Sequence, residues 1–187
     1  MTAIMTATEP RAWIGSLAAY NAGRLVGAWI DLDGKDAEDV TVEAQSAMRP
    51  MIAGWMGEAQ AFDEIQAFDI EGLAPFVRGE CSVQEACAAA AKIAEVEDHE
   101  RDAFLAYAAN EGNPASVDVD DFRDAYAGEY GSIEDYADEI LAESGMLDAI
   151  PENLRSYFDV AAWARDLVIG GDVYTVSAPG GVYVFHG

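Results

Sequence analysis

Two spacings of apolar residues alternate along the chain, and the points where one gives way to the other outline its elements. Arg11–Ser16 (RAWIGS) and Gly27–Leu32 (GAWIDL) read as short strands, separated by a Gly- and Asn-bearing loop over Leu17–Val26. Asp33-Gly34 ends the second. Asp36–Met48 has helical spacing and is expected to stop at Pro50, while Glu64–Ile70 (EIQAFDI) alternates as a third strand before Gly72.

From Glu71 the pattern becomes helical. Ser82 and Glu85 form a capping box that opens a helix running to about Val96, with Val83, Ala86, Cys87, Ala90 and Ile93 or Ala94 inward. His99–Ala109 is a further helix, stopped by Glu111-Gly112-Asn113-Pro114. Asp118 then caps a short helix with Val119, Phe122 and Tyr126 on one side. Ser132 caps the next, Ile133–Ser144, with Asp135 completing an S-x-x-D box and Gly145 where a helix normally ends. Ile133, Tyr136, Ala137, Ile140 and Leu141 give it a single apolar stripe. Pro151–Phe158 and Asp159–Leu167 are also helical, and Asp172–Ser177 with Val182–His186 forms a hairpin about Ala178-Pro179-Gly180-Gly181. The expected class is α+β in three small domains: an N-terminal antiparallel sheet with a helix (residues 10–71), a central helical domain (72–114), and a C-terminal acidic domain of helices plus a small sheet or hairpin (115–187).

Charge changes this picture. The 187 residues are 51% hydrophobic, so the chain should fold, yet its formal net charge is −25. That balance excludes direct binding to nucleic acid or to an anionic membrane and favours cationic partners, including proteins that themselves bind DNA. The fifty residues Val117–Asp166 hold fourteen of the 35 acids, three arginines and no lysine. Adaptation to high salt also yields many acids and few lysines, and Lys35 and Lys92 are the chain's only two. The enrichment is too modest to separate the two readings.

Within that segment the predicted helix over Ser132–Gly145 carries five of the acids. Opposite its apolar stripe stand Glu134, Asp135, Asp138, Glu139 and Glu143, with like charges four residues apart at 134/138, 135/139 and 139/143. Each such pair costs about 0.2–0.5 kcal/mol, which a single lysine would reverse. At about 1.5 Å of rise per residue the row carries one charge per roughly 3 Å, close to the ~3.4 Å per phosphate of one DNA strand. A charge run is commonly just a solvated helix face; a face this dense could also stand in for a phosphate backbone.

Catalytic chemistry is sparse. The chain has no Walker loop, G-x-G-x-x-G or G-x-S-x-G. Asp31-x-Asp33-Gly34 glances at a calcium loop, but Lys35, Asp36 and Val42 stand where an EF-hand needs other residues, so it reads as a polar strand-to-helix turn. His99 and His186 are far apart in sequence and are taken as structural or exposed, and Cys81 and Cys87 fit neither a metal motif nor a disulfide framework. Trp13, Trp29, Trp55 and Trp163 are assigned to the core; Phe122, Tyr126, Tyr130 and Tyr136 suit either the core or a subunit contact, with the core favoured. No metal and no cofactor are expected, and abundance of acids is no evidence of a catalytic pair. Met1–Glu9 lacks the basic start and apolar run of a signal peptide, and no stretch has the 18 or so apolar residues of a membrane helix, so a reduced cytoplasmic setting is expected.

Three stretches carry a resemblance. Pro10–Gly34 (PRAWIGSLAAYNAGRLVGAWIDLDG), Asp121–Glu139 (DFRDAYAGEYGSIEDYADE) and Tyr157–Leu167 (YFDVAAWARDL), together with the closing Val182–Phe185, resemble the ArdA antirestriction proteins in the same order from about Arg11 to Phe185. The likeness is weakest between Gly72 and Pro114. It implies a non-enzymatic cytoplasmic protein of mobile genetic elements, a homodimer of elongated three-domain subunits whose carboxylates imitate bent double-stranded DNA. Such proteins occupy the DNA groove of Type I restriction-modification enzymes, formed by specificity and methyltransferase subunits, and block restriction and often modification. On this reading the mimic surface is Asp118, Asp120, Asp121, Asp124, Glu129, Glu134, Asp135, Asp138, Glu139 and Glu143, with a second patch at Asp31, Asp33, Asp36, Glu38 and Asp39. The rivals are a mimic aimed at another DNA-binding protein and a salt-adapted acidic protein of unrelated function.

Overall fold

The computed structural model describes residues 9–187. The expectations for Met1–Glu9 therefore lie, Glu9 apart, outside the described residues. The chain is α+β, and its described residues form two compact units that divide between Val119 and Asp120.

The first unit carries a three-stranded antiparallel sheet, β1 (Arg11–Ser16), β2 (Gly27–Asp31) and β3 (Ile65–Glu71), in the order β2-β1-β3. Trp13 pairs with Trp29 across β1 and β2, and a register shift between Trp13 and Ile14 marks the β1–β3 ladder. The stretch read as a loop after β1 contains a helix, α1 (Leu17–Asn21). Ser16 caps it by accepting the Ala19 N–H at 3.1 Å, and Ala19 is fully buried. Asn21 and Gly23 only end this helix; Leu-Ala-Ala-Tyr before them are competent helix formers.

α2 (Ala37–Ile52) runs through Pro50 instead of stopping before it. The backbone bond from position 50 to Ser46 is lost, but Val40, Ala44, Met48 and Ile52 form one buried row at four-residue spacing, and burying Ile52 holds the last turn in helix. A short α3 (Glu58–Ala61) precedes β3. α4 (Val83–Ala94) begins with the expected box: Glu85 N–H donates to Ser82 Oγ at 3.1 Å and Ser82 N–H to Glu85 Oε2 at 2.9 Å. Val83, Ala86, Cys87, Ala90 and Ile93 share a core with Ala12, Ile14 and Met48. Burial pushes the Cys87 thiol up, and both cysteines are free. α5 (Arg101–Asn110) follows. Lys92 Nζ ties the chain beyond it to α4, donating to the carbonyls of Ala115 at 3.1 Å and Val117 at 2.6 Å.

The second unit begins in α6 (Val119–Ala125) and contains β4 (Tyr126–Tyr130), α7 (Ile133–Ser144), α8 (Glu152–Arg155), α9 (Val160–Gly170), β5 (Val173–Ala178) and β6 (Gly181–His186), with sheet order β4-β6-β5. β5 and β6 are the expected hairpin. β4 is an addition: Tyr126, read as part of a helix face, opens it, and the irregular register between Tyr126 and Gly128 hides the strand's alternation. One side of the sheet carries Tyr126, Tyr174, Tyr183 and Phe185, with Phe122 of α6 stacked on Tyr126 at 5.1 Å. On the other, Tyr136, Val173 and Val184 form a core with Tyr130, Ile133, Ile140, Leu167 and Val182. Phe122 and Tyr136 are buried, and Tyr126 and Tyr130 half-buried.

The tryptophans depart from expectation. Trp29 is 40% exposed, with the Arg11 guanidinium 4.9 Å from its ring centroid, and Trp13, Trp55 and Trp163 are only half-buried. Among the described residues no helix is long and apolar enough to cross a membrane.

Candidate functional site

α7 has the bounds its sequence predicts, and the reasons are local. The Ser132 hydroxyl accepts the Asp135 N–H at 3.1 Å, and Gly145 closes the helix in the left-handed region at φ +66°. The S-x-x-D box is only half formed, however: unlike Glu85, Asp135 does not return a bond to its cap. One methylene shorter, its carboxylate lies over Gly131, whose added Cβ would meet Asp135 Oδ2 at 2.7 Å.

The stripe and the charged row separate cleanly. Tyr136, Ala137 and Leu141 are buried, whereas Glu134, Asp135, Asp138, Glu139 and Glu143 are all exposed. Among the described residues none of these five carboxylates has an ion-pair partner within 4.0 Å. Helix polarity explains part of the row, since Glu134 and Asp135 lie in the first turn, where a carboxylate is favoured. It does not explain Glu143, which stands in a last turn that has no basic residue. From Asp120 to Gly187 fourteen acids face three arginines and no lysine, a formal −11. Two of those arginines are engaged away from α7: Arg123 with Asp120 at 3.1 Å, and Arg155 with Asp148 at 3.1 Å.

The remaining candidates of the main surface are exposed as well. Asp120, Asp121 and Asp124 lie on α6, with Asp118 just before it. Glu129 on β4 is fixed, its Oε1 accepting the Gly180 N–H at 3.0 Å from the hairpin turn. The second patch is exposed in the first unit: Asp31 ends β2, Asp33 lies in the turn that follows, and Asp36 caps α2 by accepting the Glu38 and Asp39 N–H groups at 2.9 Å each. Asp36, Glu38 and Asp39 thus already have a reason in helix capping. Among the described residues no group of three or more His, Cys, Asp or Glu could hold a metal ion.

One feature lies beyond sequence reasoning. The Tyr130 hydroxyl sits 3.2 Å from Glu139 Oε1 and 3.3 Å from the Ala127 carbonyl, joining β4 to the acidic row. Burial first, and then this bond, push the Tyr130 hydroxyl up to about 12.

These features define a small acidic α+β protein that, among its described residues, displays a row of exposed carboxylates without ion-pair partners on a helix whose other face is buried. The family model described as "Antirestriction protein (ArdA)" matches residues 12–182, and the chain belongs to that family, whose function is antirestriction. No curated protein matches the chain.

Proposed function

We propose that this protein inhibits Type I restriction-modification enzymes as an acidic mimic of double-stranded DNA, occupying the groove formed by their specificity and methyltransferase subunits. The α7 row carries this reading: five exposed carboxylates along one helix, none within 4.0 Å of a described cation, at close to the axial charge density of a DNA strand. The main surface is Asp118, Asp120, Asp121, Asp124, Glu129, Glu134, Asp135, Asp138, Glu139 and Glu143; Asp31, Asp33, Asp36, Glu38 and Asp39 are a second patch. The mechanism is competition, in which a basic groove receives the charge it is built to receive and duplex DNA is excluded. No bond is broken and no cofactor is needed. Loss of modification follows from the same competition wherever methylation uses the occupied groove.

In this reading the protein acts in the cytoplasm of a cell that has received a mobile element, as a homodimer. Phage plating on a host with a Type I enzyme, with and without the protein expressed, tests the function. Expression should raise plating toward that on a host lacking the enzyme. Unchanged plating across several Type I systems would contradict it.

A further inference from the structure

The acidic row contains one carboxylate that the fold holds from beneath. Glu139 stands one turn from both Asp135 and Glu143, so like charges flank it on either side. An exposed glutamate in that position has several open rotamers and electrostatic reason to leave the row. Tyr130 opposes this. A phenol has one proton to give, and a carboxylate is a stronger acceptor than a carbonyl, so the hydroxyl donates to Glu139 Oε1 in preference to Ala127. The ring that carries it is itself held, edge-on to Tyr136 at 5.2 Å and 75°, in the cluster built on Tyr136, Val173 and Val184. The bond engages one oxygen of Glu139 and leaves Oε2 for a partner.

Resting on the mimicry reading above, we propose that Tyr130 is a positioning residue of the acidic surface: its hydroxyl holds the Glu139 carboxylate in the row before a basic groove arrives. Part of the side-chain ordering that association would otherwise require is thereby completed in the fold. Because the phenol stays neutral, it adds placement without changing charge.

The experiment is displacement of labelled duplex DNA from a purified Type I restriction-modification enzyme by the full-length protein over a series of salt concentrations. Tyr130→Phe should weaken displacement about twofold, and by no more than Glu139→Ala does, the low end of one side chain's ordering, and leave the salt dependence unchanged because no charge is removed. Glu139→Ala should weaken displacement and flatten the salt dependence, and Tyr130→Phe added to it should cost nothing more. Equal losses from Tyr130→Phe with and without Glu139 would assign the tyrosine to packing alone and overturn the proposal, as would full displacement by Tyr130→Phe. Circular dichroism gives the folded fraction by which each result is scaled. If Glu134→Gln, Asp138→Asn, Glu139→Gln and Glu143→Gln together leave displacement intact, the mimicry reading fails instead, whatever Tyr130 does.

Discussion

Single side chains in the acidic unit set limits that can be measured without any partner. Burial raises both Tyr130, to about 12, and Tyr136, with Glu139 adding to each. In the unfolded chain tyrosines release their protons near pH 10. Between about pH 10 and 12 the folded state therefore holds more protons than the unfolded one, and stability falls as pH rises; below pH 10 the contribution is whole. Denaturant midpoints should decline over that window, and Tyr130→Phe should decline less steeply than the parent. Parallel declines would contradict the environment assigned to the hydroxyl. None of this was legible in the sequence, which places Tyr130 nine residues from Glu139 and Glu129 fifty-one from Gly180. Such pairs exist only once β4 is laid beside β6 and α7 is folded back on the sheet. Trp29 departs from its expected burial for a related reason: its apolar ring suggests the core, but the edge strand β2 leaves it beside Arg11.

At the scale of elements, what the sequence reveals depends on how local the cause is. Ser132 and Gly145 bound α7, and Ser82 with Glu85 starts α4, because caps act within four residues. α2 outruns Pro50 because burial of Ile52, a tertiary fact, outweighs a local preference. β4 is hidden by its own irregular register. The α7 row makes a prediction at this level. Glu143→Lys would convert the 139/143 repulsion into an attraction of favourable orientation and place a cation in the last turn, stabilising the protein by about 0.5–1 kcal/mol. The same change should slightly weaken inhibition. Thermal midpoints and a restriction assay check both halves; a variant that is no more stable would mean that the row carries no electrostatic strain.

For the molecule as a whole, charge spread over many exposed groups makes each one weak, a few tenths to about 1 kcal/mol, so single neutralisations should do little and combined ones much. Fold class and family were legible because both rest on patterns spread along the chain: strand and helix spacing, and the motifs at Pro10–Gly34 and Asp121–Glu139. The division between Val119 and Asp120, by contrast, depends on which residues share a core. The most direct measurement is competition with duplex DNA for a purified Type I enzyme, comparing the parent with a variant carrying Asp121→Asn, Asp124→Asn, Glu134→Gln, Asp138→Asn, Glu139→Gln and Glu143→Gln. The parent should displace DNA strongly at low salt and progressively less as salt rises. The variant should be weaker by tens-fold or more, with a shallower salt dependence. If a folded variant displaced DNA as well as the parent at every salt concentration, the carboxylates would not be standing in for phosphates.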